Sequence, residues 1–263
     1  MTLPRRLIHN EFDLSDIAES QDRPIELIGQ DFALVTVAAH LASDFPGQLI
    51  FKGGFVFRHV YGHARFSDDI DATRTEPPKH KFDSAEIADS IRRASDEPLL
   101  RIDPQAPQTD SARGLDFDAV KFRTPTHGGV IAVEISYREA VIDPPCITPI
   151  GPPYYEEFEI PVLTPQEGIA EKLRTLIQRR RATDLADMAM RLSGPGLDEK
   201  RIRELAAKKF ELVKQGDFLG RIQRNIESLQ GDYESTVPNL APDAPPYSEA
   251  KQIVLDALPQ IVP

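Results

Sequence analysis

The chain has 263 residues, 40% hydrophobic and 28% charged, with a formal net charge of −11. That is an ordinary globular composition with apolar material for one large domain or two small ones, which excludes wholesale disorder, collagen and coiled coil. No apolar run approaches the roughly 20 residues of a membrane span, the two N-terminal arginines have no apolar segment behind them, and the single cysteine, Cys146, excludes an internal disulfide and a Cys-rich zinc site. The expectation is a soluble, cytoplasmic protein with no membrane partner.

The acidic balance argues against a surface that binds nucleic acid all over. Charge is uneven, however: residues 172–214 carry twelve Lys/Arg against six Asp/Glu, a segment that could receive a polyanion locally.

In chain order, the spacing of Ile25, Ile28, Phe32, Val35 and Ala39 predicts a helix over 24–44, stopped by Phe45-Pro46-Gly47. A short apolar strand, 49–51, runs through Lys52 into Gly53-Gly54, and 55–62 reads as a helix closed by Gly62. Asp69 and Asp71 alternate as strand residues do, so both carboxylates leave from one face. A helix is predicted over 81–95 and a loop over 103–114. Residues 115–123 and 130–139 flank the turn Thr126-His127-Gly128-Gly129 as a hairpin. Seven prolines from Pro144 to Pro165 make a rigid connector with one short strand over 158–163.

Thr164, Pro165 and Glu167 then form an N-cap, N1 proline and capping-box pattern, and helices are predicted over 166–181, 183–192, 198–213 and 218–229. Prolines 238, 242, 245 and 246 read as a linker to a last amphipathic segment over 248–258. Mixed α/β followed by helices predicts an α+β protein of two lobes, 1–160 and 161–263.

Two carboxylates side by side repel unless a cation lies between them, and a hard divalent ion shared with nucleotide phosphates resolves this. A glycine pair after a strand lets backbone N–H groups approach a phosphate. Either feature alone is usually a turn or a solvated edge; strand, glycine pair, helix and Asp-x-Asp strand in that order are harder to reach by accident. Glu134, in the strand Val-Ile-Ala-Val-Glu-Ile-Ser, shares a face with Ala132 and Ser136, opposite Ile131, Val133 and Ile135. If that strand lies beside the one with Asp69 and Asp71, the three form a metal-binding set for phosphoryl or nucleotidyl transfer. His59 and His63 read as structural, and Cys146 has no partner that would activate it.

The run KGGFVFRHVYGHARFSDDID resembles the glycine-pair and R-x-S-x-D-x-D signature of the AbiEii/AbiGii-type nucleotidyltransferases. These are toxins of type IV toxin–antitoxin and phage-defence systems, related to the DNA polymerase β fold. EKLRTLIQRRRATDLADM resembles their second block, and the likeness spans about residues 48–192. It implies a polymerase β-like lobe with a mixed sheet followed by a helical lobe that carries the Pro-rich linker and terminal helix. It further implies that Lys52, Gly53, Gly54 and Ser67 contact nucleotide phosphates, with Arg65 as an added clamp. Asp69 and Asp71 would hold Mg2+, Glu134 would fall at the third acid, Lys172 would neutralise phosphate charge, and Asp184 or Asp187 would supply the late acid. Two departures stand out: Phe55 follows the glycine pair where many relatives have a small hydroxyl residue, and the late segment reads Arg-Ala-Thr-Asp.

Without the resemblance, Lys172 reads as a solvated helix lysine, Asp184 and Asp187 as helix-start charges that suit the macrodipole, and Arg179-Arg180-Arg181 as a solvated face or a contact to an RNA backbone. The function expected is transfer of a nucleotide from NTP to an acceptor hydroxyl, RNA such as a tRNA 3′ end, by a toxin with a cognate antitoxin. The alternatives are a small-molecule or protein acceptor, or a non-catalytic nucleotide-binding module.

Overall fold

The computed structural model describes residues 3–63, 65–74, 82–213 and 216–263. Its contacts divide the chain into two units. The first comprises Met1–Val60, Phe66–Val141 and Pro145–Val162, the second Tyr61–Arg65, Ile142–Pro144 and Leu163–Pro263. Tyr61–Arg65 and Ile142–Pro144, both before the expected boundary near residue 160, group with the second unit.

The first unit holds α1 (Glu11–Gln21), α2 (Ile25–Asp44), β1 (Leu49–Lys52), α3 (Gly53–His59), β2 (Asp69–Arg74), α4 (Ser84–Arg93), β3 (Arg101–Asp103), β4 (Thr109–Asp110), β5 (Gly114–Arg123), β6 (Gly128–Ser136), β7 (Cys146–Ile150) and β8 (Phe158–Val162). The strands form one mixed sheet in the order β3-β5-β6-β2-β1-β8-β7, with β4 paired to β5. β2 runs antiparallel to β1 and parallel to β6, and β1 runs parallel to β8.

The hairpin β5–β6 forms as its alternation predicts, with one irregularity. Leu115 and Phe117 are buried, and so are Val120 and Phe122, which breaks the period of two. The ladder absorbs the break as a bulge between Phe117 and Val120, where β5 carries one extra residue.

α2 is apolar on nearly every face. By length and composition it passes for a membrane span, which corrects the expectation that no run approaches one; 78% of its most apolar window is buried inside the protein, as in a core helix. Its one buried carboxylate, Asp31, is matched three ways. It accepts from Arg58 Nε at 2.9 Å and Tyr154 Oη at 2.9 Å, and His59 Nε2 lies at 3.0 Å. These contacts fasten the C-terminal turn of α3 to the middle of α2 through Arg58 and His59.

Several elements were not foreseen. α1 begins with a reciprocal capping box between Asn10 and Asp13, β3 and β4 occupy part of the expected loop, and β7 lies within the proline-rich connector. α3 starts at Gly53 rather than Phe55, and α4 is shorter than 81–95, whose first residue falls outside the described ones.

The second unit is helical: α5 (Pro165–Gln178), α6 (Ala182–Leu192), α7 (Glu199–Phe210), α8 (Phe218–Glu227), α9 (Gln230–Leu240) and α10 (Tyr247–Ile261). Leu173, Leu176, Leu185, Met188, Leu205, Ile226 and Val254 belong to its core. Thr164 caps α5 as expected, accepting from Glu167 N at 3.2 Å. The Glu167 side chain, however, accepts from the backbone N–H of Ile142 and Asp143 at 2.9 and 3.0 Å and meets Lys209 Nζ at 2.7 Å. Those donors draw it away from the reciprocal half of a capping box. The expected linker is partly helix, since α9 runs through Pro238 in its last turn.

Burial alone would raise the Asp31 carboxyl, but His59 and Arg58 outweigh it and hold the group at about 2, below its ordinary 3.8. Its stabilisation is therefore complete above pH 3.8 and lost as pH falls towards 2. Asp31→Ala strands a buried guanidinium, so urea melts at pH 7 should show a loss of about 3–5 kcal/mol. The difference between variant and wild type should narrow as the pH is taken down through that window.

Candidate active site

In the first unit, strand β1 ends at Lys52 and the chain turns at Gly53 with φ of 72°. This glycine is required twice over. L-residues rarely adopt that φ, and a Cβ at position 53 would lie 2.1 Å from Asp71 Oδ2 and 2.9 Å from Asp71 Cβ. The backbone of the glycine pair is thus packed directly on a strand carboxylate. Gly54, buried, continues the first turn of α3. Phe55 is wholly buried, its ring 4.7 Å from that of His59, so it serves the core where a hydroxyl residue was the alternative.

The ladder places Lys52 opposite Asp71, Asp71 opposite Glu134, and Glu134 opposite Asp116. Residues so paired share a face, so one lysine and three carboxylates form a row across four strands, β1-β2-β6-β5. Asp69 lies on the same face two residues before Asp71, opposite Ala132. Asp69, Asp71, Glu134 and Asp116 are half-buried, whereas Asp68, on the other face, is exposed. Ser67, buried, donates through Oγ to Asp69 Oδ1 at 2.9 Å, and Lys52 Nζ lies 3.6 Å from Glu139.

The expected neighbourhood of Glu134 and Asp71 is therefore present. Among the described residues, however, no group of three or more His, Cys, Asp or Glu side chains is gathered closely enough to hold a metal ion. The three-carboxylate set expected from Asp69, Asp71 and Glu134 is not assembled as such; two hard carboxylates on β2 remain. That donor set fits magnesium, which is characteristically bound by one or two carboxylates and completed by substrate phosphates and water.

Asp116 was missed by sequence reasoning, and the bulge explains why. Counting residues outward from the turn without it sets Phe117 opposite Glu134 and turns Asp116 towards the core. The available signal was the phase break between Leu115/Phe117 and Val120/Phe122.

In the second unit, Arg65, Lys172, Asp184 and Asp187 form one network. Lys172 Nζ lies 2.8 Å from both Asp184 Oδ1 and Asp187 Oδ2. Arg65 donates from Nε and Nη2 to the two oxygens of Asp187 at 2.7 and 3.1 Å, and Arg179 Nε donates to Asp184 at 3.0 Å. Lys172 is thus a buried, doubly paired lysine and not a solvated one. Both candidate late acids hold it, Asp184 and Asp187 standing three apart on one face of α6. The fork of Arg65, expected as a phosphate clamp, is directed instead to Asp187. Burial pulls the Lys172 ammonium down, but Asp184 and Asp187 outweigh it and hold it above its ordinary value. Both carboxyls are held low: burial opposes this, and Lys172 with Arg179 or Arg65 overcomes it. The carboxylate contributions are therefore complete above pH 3.8 and lost below it; the lysine's is complete below 10.5 and lost as pH rises further.

Two substitutions test these geometries. Gly53→Ala should lower thermal stability through both strain and the clash with Asp71. Lys172→Met removes the cation shared by two buried carboxylates, leaving Asp184 to Arg179 and Asp187 to Arg65, and should cost about 3–5 kcal/mol in urea melts. Near-wild-type stability for either would contradict the packing described.

Comparison with known proteins extends these observations. The fold is similar to that of MenT4, a nucleotidyltransferase toxin from Mycobacterium tuberculosis, with TM-score 0.71, 18% identity, and coverage of 94% of this chain and 89% of that one. It is also similar to JHP933 from Helicobacter pylori, with TM-score 0.62, 17% identity and coverage of 89% and 91%. At such identities the likeness carries the fold alone, an α+β architecture shared with these nucleotidyltransferase structures. No curated protein matches the chain. The profile described as "Nucleotidyl transferase AbiEii toxin, Type IV TA system" matches residues 37–257. The chain therefore belongs to the AbiEii family: it is a nucleotidyltransferase toxin of a toxin–antitoxin system, an enzyme with NTP as substrate and an antitoxin as partner.

Proposed function

We propose that the protein transfers a nucleotide from NTP to an RNA hydroxyl, such as a tRNA 3′ end, in a magnesium-dependent reaction carried by the row on the first unit. The observation that supports this best is the seating of Gly53 against Asp71, which joins a phosphate-approaching backbone turn to a pair of strand carboxylates. Asp69 and Asp71 would hold Mg2+, which when bound neutralises phosphate charge and polarises the phosphorus under attack.

The protein's own groups do the rest by position and charge. The backbone of Gly53 and Gly54 and the side chains of Lys52 and Ser67 bind and orient the phosphates. Glu134, one strand over from Asp71, takes the proton of the attacking hydroxyl as it approaches the α-phosphorus and pyrophosphate departs. On the second unit, Lys172 shares its charge with Asp184 and Asp187 in a network of three cations and two carboxylates, and is not a lone ammonium. The exposed arginines at 180 and 181 offer a sequence-independent contact to an RNA backbone.

The test is incubation of purified protein with α-labelled NTPs and total RNA, with and without Mg2+. RNase-sensitive label should appear only with the metal. Asp69→Asn and Asp71→Asn should each lower its rate by at least about 100-fold, the scale of several kcal/mol of charge stabilisation. RNase-resistant label would move the acceptor to a small molecule or a protein, and transfer indifferent to Mg2+ would remove the role given to the two aspartates.

A further inference from the structure

We propose that Gln30, Asp31 and Arg58 act together as positioning residues that fix the glycine pair relative to Ser67 and Asp69. Arg58 lies in the last turn of α3, the helix that Gly53 opens. Its Nε and Nη2 donate to the two oxygens of Asp31 at 2.9 and 3.3 Å. The flat face of the same guanidinium covers the ring of Phe66, 3.5 Å from its centroid. Phe66 immediately precedes Ser67. One residue before Asp31 on α2, Gln30 Nε2 donates to the backbone carbonyl of Ser67 at 3.2 Å.

Two adjacent residues of one core helix thus hold both halves of the site. Asp31 holds α3, and with it the glycine turn; Gln30 holds the residue whose hydroxyl fixes Asp69. Arg58 ties the halves to each other, by its edge to Asp31 and by its face to Phe66. Asp31 and Phe66, the two partners of the Arg58 guanidinium, are each 2% exposed. None of the three need touch substrate. The Gln30 contact is informative because it falls on a loop carbonyl at the site and fills no part of the apolar core. A planar fork that also stacks is a task for arginine and not for lysine.

This inference rests on the reading that Gly53, Gly54 and Ser67 face the phosphates of NTP. Errors of about 1 Å in such positioning cost on the order of 100-fold in rate. In the full chain, Gln30→Ala, Gln30→Glu and Arg58→Lys should be compared with wild type by thermal melt, by calorimetric titration with each of the four NTPs plus MgCl2, and by label transfer to total RNA. The expected result is unchanged NTP stoichiometry with transfer per bound NTP lowered about 10- to 100-fold in all three. Gln30→Glu, which keeps the shape and loses the donor, should fall as far as Gln30→Ala. If Arg58→Lys does not fold, the Gln30 pair decides. Wild-type transfer per bound NTP in the variants, or a loss of rate matched by a loss of NTP-binding sites, would overturn the positioning role alone. A wild-type protein that neither binds nor transfers NTP would overturn the nucleotidyl-transfer reading, and the clamp with it.

Discussion

Three carboxylates in one row of a sheet, Asp71, Glu134 and Asp116, with Asp69 beside them on the same face, are a standing electrostatic cost. A sheet assembled for stability alone would not place like charges directly opposite one another on adjacent strands. Under the proposed reading, a cation and a polyphosphate would offset that cost. Around it, the first unit supplies one lysine in register with Asp71, one buried serine on Asp69, and one glycine whose missing side chain lets the backbone rest against the Asp71 carboxylate. The parallel pairing of β2 with β6, which requires a long connection between them, is what brings Glu134 to Asp71.

The second unit follows a different electrostatic rule. There the charges are matched and mostly buried: Lys172 between two aspartates, Arg65 on one of them, the half-buried Arg179 on the other, and Lys209 between Glu167 and Glu171. Such pairs do not by themselves add much stability over an apolar core, yet losing one partner is costly. The unit is therefore sensitive to single substitutions at positions that look, in sequence, like ordinary helix surface.

Much of the candidate site's arrangement was legible in the sequence because it is local. The glycine pair, Ser67, Asp69 and Asp71 lie within twenty residues, and a strand's period of two decides their faces. The hairpin and the start of α5 were legible for the same reason, through turn and cap chemistry. What escaped needed information from across the fold. Lys172 sits on a helix that is amphipathic by pattern, and only the position of α6 reveals that its polar face is covered. Asp116 was hidden by one extra residue in β5, which reverses the faces of every position before it. Arg65 was read as a phosphate clamp because its fork matches phosphate oxygens; its contact with Asp187, 122 residues away in the chain, has no local signal. α2 was misjudged in the opposite sense: its run is long enough for a membrane, and its burial comes from the sheet and helices that pack on it.

The most direct test of the claim that the Asp69/Asp71 pair carries the toxin's activity is growth after induced expression. Wild type would be compared with Asp69→Ala and Asp71→Ala, each variant checked for folding by thermal melt, in a host without the antitoxin. Arrest by wild type alone is the predicted result. Arrest by all three folded proteins would contradict the claim, because toxicity would then survive the loss of either carboxylate.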